Sequence, residues 1–112
     1  MNALLLQGLD VPLRALRLLA VDYPHLPAPA VAVSTVYPDR LELSFHDGLG
    51  AFEAWREELR IDPGRVSRGV HAGGRTQVLQ TEVDYAGARL LLVGYAKVVV
   101  LAGERSRAEV AS

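Results

Sequence analysis

Cysteine is absent from the 112-residue chain. Disulfides, thiolate nucleophiles and cysteine-ligated zinc are therefore excluded, and the protein is indifferent to the redox state of its surroundings. Aromatic residues are scarce, with one Trp, four Tyr and two Phe. The core must then be built from Ala, Leu and Val, which suit thin packed layers better than a deep pocket. Neither sign of charge is in excess: the formal net charge is -1, whereas a protein whose main partner is a polyphosphate backbone needs a clear basic surplus. Nucleic acid is thus disfavoured as a partner. Lysine is almost missing, since Lys97 stands alone among twelve basic residues. With abundant Ala, Gly and Val, that bias reflects a GC-rich coding sequence rather than chemistry. The apolar run 90–102 contains Gly94 and Lys97 and falls well short of the roughly 20 residues a spanning helix needs. The opening MNALLLQGLD lacks the positive n-region and small-residue cleavage site of a secretory signal. The expectation is a cytoplasmic protein with no membrane contact.

What is present is most distinctive at Arg89–Ala102, RLLLVGYAKVVVLA, where apolar residues follow one another with neither helical nor alternating gaps. Such a run reads as a strand covered on both faces, so a helix layer must cover one face and something else the other. Upstream, Asp10 reads as a helix N-cap with Pro12 in the first turn, followed by Leu13, Leu16, Leu19 or Ala20, and Tyr23 at helical spacing. Pro24, Pro27 and Pro29 make PHLPAPA a stiff extended connector. Residues 31–37 and 40–46 alternate about a Pro38–Asp39 turn, which predicts a β-hairpin.

Asp47 reads as the cap of a second helix over LGAFEAWREELRI, supported by Glu53–Arg56 and Glu57–Arg60 pairs and stopped by Asp62-Pro63-Gly64. Residues 66–72 fit an edge strand or a loop equally well. Thr76–Tyr85 alternates, and Ala86-Gly87 turns it into the buried run as a second hairpin. The expected fold is α+β: two helices packed on one face of a four- to five-stranded antiparallel sheet, in the order αββα(β)ββ. A chain of this length makes one domain burying roughly two thirds of its unfolded surface, expected over 1–103, with 104–112 as a flexible polar tail.

From about Leu43 to Ala96, the segments LSFHDGLGAFEAWREELRI and TQVLQTEVDYAGARLLLVGYA resemble a set of short actinobacterial proteins of unassigned function. These share the acidic residue, the AFEAWRE helix and a paired strand ending near GYA. The resemblance implies a compact domain built round Phe52 and Trp55 with a hairpin turning at Ala86 and Gly87. It implies no activity, cofactor or site residue.

Three groups of residues are candidates for chemistry. His46 and Asp47, adjacent where a strand gives way to a helix, suit a general base or half a metal site. Each also has a plain role, on a polar strand face and as a cap. His71 would join them if its loop folded over the helix start, whereas His25 in the connector faces solvent. Trp55, with Phe52, Tyr85 and Tyr95, would line a small apolar ligand site or simply form core. Arg65, Arg68 and Arg75 in the glycine-rich stretch 64–75 would hold an anion or phosphate through side chains and backbone amides, although neither P-loop order nor interleaved aromatics accompany them. Ser67 in GRVSRG does not form the GxSxG elbow.

No residue set has catalytic spacing, and no metal or cofactor is expected. The expected function is that of a non-catalytic interaction or accessory domain, homodimeric across the helix-free sheet face through Val93, Tyr95 and Val98. A different protein partner is the next expectation. The alternatives are phosphate or nucleic-acid binding through 64–75 and small-molecule sensing near His46, Asp47 and Trp55.

Overall fold

The computed structural model describes residues 3–71 and 73–97. After a 3-10 turn at Leu6–Leu9, the elements are α1 (Asp10–Asp22), β1 (Ala30–Val33), β2 (Arg40–Phe45), α2 (Gly50–Glu58), β3 (Ser67–His71), β4 (Thr76–Tyr85) and β5 (Ala88–Lys97). They form an α+β arrangement with five strands ordered β1-β2-β5-β4-β3. The segment 104–112, expected as a tail, and Val98 lie outside the described residues.

The sheet is mixed, a correction to the antiparallel expectation. β1–β2, β3–β4 and β4–β5 are antiparallel, but β2 and β5 run parallel, with Leu41 opposite Leu90 and Leu43 opposite Leu92. Strand parity supplies the reason. Each hairpin reverses direction locally, but α2 carries the chain back across the sheet before β3, so β3 and then β5 regain the direction of β2. Residues 66–72, open between strand and loop, resolve as edge strand β3 over Ser67–His71.

Alternation gives β2 and β5 a common inner face. Leu41, Leu43 and Phe45 from β2 and Ala88, Leu90 and Leu92 from β5 are buried together with Ala15 and Leu19 of α1 and Phe52 and Trp55 of α2. Each fully buried Leu or Phe contributes on the order of 1.5–3 kcal/mol. On α1, Pro12, Ala15 and Leu19 are buried and Leu16 and Tyr23 pack against the same core, so the expected stripe holds at Leu16, Leu19 and Tyr23 and fails at Leu13, which is exposed. The small side chain of Ala15 lets the helix backbone approach the strands.

Neither expected cap is formed. Asp10 is already helical and its carboxylate accepts from Arg14 Nη1 at 3.2 Å. Leu49, not Asp47, holds the cap position of α2, because Gly48 at φ +107° intervenes and turns the chain. At its other end α2 stops before Asp62-Pro63-Gly64. Arg60 adopts φ +58°, and the Arg60 and Ile61 amides donate to Glu57 O and Arg56 O at 3.0 Å. This is the paired-bond Schellman stop, formed without the usual glycine. Leaving the helix also separates Arg60 from its expected pairing with Glu57. Arg56 keeps its partner: its guanidinium donates to the Glu53 carboxylate at 3.0–3.1 Å, and Nη1 reaches Ile61 O at 2.7 Å.

Gly94 on β5 lies under α2, where a Cβ would sit 3.0 Å from Phe52 Cβ and 3.1 Å from Leu49 Cδ2. Gly94→Val is expected to destabilise by about 1–3 kcal/mol through overpacking, read as a lower midpoint in urea. At the β4–β5 turn, Ala86 and Gly87 both have positive φ, 51° and 83°, the signature of a type I′ hairpin. Ala86→Asn should raise stability by about 0.5–1 kcal/mol, since Asn tolerates the left-handed region better than Ala; an unchanged midpoint would show no strain there.

Candidate functional site

An apolar concavity lies where the proline connector passes between α1 and β1. Pro24, Pro27 and Pro29 hold this stretch extended, and two hydrogen bonds anchor it. Leu26 N donates to Tyr23 O at 3.2 Å, and Trp55 Nε1 donates to Pro27 O at 2.7 Å. Trp55 is itself fixed from behind, tilted against Phe45 with ring centroids 6.0 Å apart. The result is a half-open groove of about 330 Å³ whose walls include Leu16, Ala20, Tyr23, Leu26, Val31 and Trp55. Val31 is 45% exposed beside it. The chemistry this groove offers is desolvation of aliphatic or aromatic side chains, with little polar contact to orient a small molecule.

The sequence candidates do not converge on it. Of His46, Asp47 and Trp55, only Trp55 lines the groove. His46 lies across the sheet, stacked on Tyr95 with centroids 4.8 Å apart and planes 8° from parallel, and its Nε2 is 3.2 Å from Ser44 Oγ. Asp47 is exposed beyond it. His25 sits 3.8 Å from Glu58, so it faces a carboxylate rather than open solvent alone. Among the described residues no group of three His, Asp or Glu is placed to hold a metal ion.

Formation of β3 also separates the three arginines of the basic stretch. Arg65 precedes the strand, Arg68 lies within it opposite Leu79, and Arg75 follows it. Five extended residues span about 16 Å, so Arg65 and Arg75 stand at opposite ends. Arg65 borders Glu82 and Asp84, and Ser67 Oγ donates to Gln80 O at 3.2 Å. Two other arginines, Arg40 and Arg89, flank a cleft near the β1–β2 turn. Arg89 is bonded to Glu82 and Asp84 at 3.1 and 2.9 Å, and Arg40 lies 4.0 Å from Glu82 and 4.2 Å over the Tyr37 ring. These charges balance one another within the fold.

Of the expected interface residues, Val93 is 4% exposed and Tyr95 half-buried. Val93, Leu91 and Val78 form a narrow apolar band with Tyr95, level with the polar residues Glu42 and Ser44 of β2 and Gln80 and Glu82 of β4. The groove itself went unforeseen because it is made by the path of the connector. The available signal was the apolar Leu26 and Ala28 set among three prolines, a composition that binds against neighbours rather than waving free.

Comparison of the chain with protein-family models, curated proteins and solved structures finds no match. No helix of the described residues is long and apolar enough to cross a membrane.

One titratable contact ties the groove side of the molecule to the second hairpin. Tyr85 Oη donates to Asp22 Oδ2 at 2.6 Å, joining the end of α1 to β4. Burial first, then this hydrogen bond and the charge of Asp22, push the Tyr85 phenol up from its ordinary value of 10.0 to about 12. In the unfolded chain the phenol ionises at the ordinary value, while in the fold it keeps its proton. The stabilisation is therefore complete below pH 10 and lost as pH rises through about 12. Urea midpoints measured across that interval should fall for the native protein, and Tyr85→Phe should flatten the slope. An unchanged slope would place the lost stability elsewhere.

Proposed function

We propose that the protein is a non-catalytic, homodimeric interaction domain that presents apolar surface on the α1–β1 side. The observation carrying this is the groove of about 330 Å³ with apolar walls, open to solvent at exposed Val31. Contiguous exposed apolar surface of this kind marks association sites, and few convergent polar groups accompany it to orient a substrate. His46 is stacked on Tyr95 and His25 lies beside Glu58, in separate places rather than in one site. The same proposal includes a cytoplasmic setting and kinship with the short actinobacterial proteins, whose shared helix and hairpin correspond to α2 with Phe52 and Trp55 and to the turn at Ala86–Gly87. Phosphate or nucleic-acid binding is less favoured, because Arg65 and Arg75 stand at opposite ends of β3.

Light scattering over a concentration series tests the association, with Trp55 as an internal reporter because it is the chain's single tryptophan. Mass should rise from one chain to two. Dilution through that range should shift Trp55 emission to the red as water enters the groove, with far-ultraviolet circular dichroism unchanged. A mass of one chain at all concentrations up to hundreds of micromolar would refute homodimerisation.

A further inference from the structure

We infer that the exposed flank of α1 is the seam of the homodimer, with two copies of the helix lying antiparallel about a two-fold axis; this rests on the homodimer proposed above and gives it a surface. α1 carries more apolar side chains than its own sheet covers. Beside the buried Pro12, Ala15 and Leu19 runs a second row, Leu6, Leu9, Leu13, Leu16, Ala20 and Tyr23, from the 3-10 turn to the end of the helix. Its steps alternate between three and four residues, the spacing with which two helices pack side by side. Leu6 and Leu9 belong to the 3-10 turn, where residues three apart eclipse, so Leu6 stands over Leu9 and extends the row. Leu6 is 76% and Leu13 44% exposed, Ala20 is exposed, and Leu16 and Tyr23 are half-buried.

The row is complementary to itself. One two-fold axis sets Leu13 against Leu16 of the partner subunit, Leu9 against the partner's Ala20 and Leu6 against the partner's Tyr23. Tyr23 and Ala20 are walls of the apolar groove, so the most exposed leucine of each copy arrives at the other's groove, twice over by symmetry.

Charge selects the same axis. Asp10 and Arg17 are exposed and flank the row one heptad apart. In an antiparallel helix pair each flanking row faces the same row of the other helix, and opposite charges there set the orientation. The axis that layers the leucines also brings Asp10 beside the partner's Arg17. Asp10 holds Arg14 of its own chain through Oδ2 at 3.2 Å, which leaves Oδ1 for the partner's guanidinium. A parallel pair would turn Asp10 and Arg17 toward the opposite flank, where Pro12 and Leu19 are buried, and pair no charges. A foreign helix owes nothing to this pattern, whereas a second copy of this chain satisfies its apolar layers and its charges at once.

Because the chain has no cysteine, introduced cysteines report the geometry cleanly. Positions 9 and 20 stand about 16 Å apart along the helix, too far for a disulfide within one chain. Under mild oxidation the Leu9→Cys/Ala20→Cys double variant should form a covalent dimer, and neither single variant should. Leu13→Lys should weaken dimerisation at least tenfold in light scattering, with circular dichroism unchanged because Leu13 is outside the core. Arg17→Glu should weaken it at least threefold, and adding Asp10→Arg should restore it. A double-cysteine variant that stays uncrosslinked, crosslinking by Leu9→Cys alone, or a folded Leu13→Lys protein that dimerises as the parent does would overturn the antiparallel seam while leaving homodimerisation standing. A parent protein that never exceeds one chain in mass would overturn both.

Discussion

Burial of β5 on both faces is the constraint from which the rest of the architecture follows. Leu90 and Leu92 are wholly buried beneath the helices, and Leu91 and Val93 are 6% and 4% exposed on the other side. A strand so apolar cannot lie at an edge, where half its backbone groups and one flank of its side chains would meet water. It must have a neighbour on each side: β4 takes one side through the tight turn at Ala86–Gly87, and β2 takes the other in parallel register. Their own hairpin partners, β1 and β3, are left outermost. The parallel β2–β5 contact is therefore the seam between two hairpin systems, and α1 and α2 both sit over it.

That seam also marks the limit of what was legible. Periodicity located both helices and both hairpins to within a few residues, because those signals are local: alternation in 40–45 and 76–85, and helical spacing around Phe52 and Trp55. The direction in which the hairpins meet depends on how many times the chain reverses between them, which no window of sequence encodes. Helix ends were misread for a related reason. Asp10 and Asp47 have the right chemistry for caps, yet Gly48 and the 3-10 turn at Leu6–Leu9 place other residues at those positions. The stop of α2 falls on an arginine in left-handed geometry, held by Arg56 and Ile61 and unmarked by composition.

The candidate site was still less legible. Trp55 was visible as an aromatic at helical spacing, but its groove exists because Pro27 O accepts the indole N–H at 2.7 Å, a contact between residues 28 apart. This bond fixes the connector against the helix layer. Three prolines reduce the freedom the connector had to lose in being so fixed, and the adjoining leucine and alanine then serve as wall rather than loop. By contrast, the basic stretch was conspicuous in sequence and dispersed in space, since an extended strand places consecutive arginines far apart.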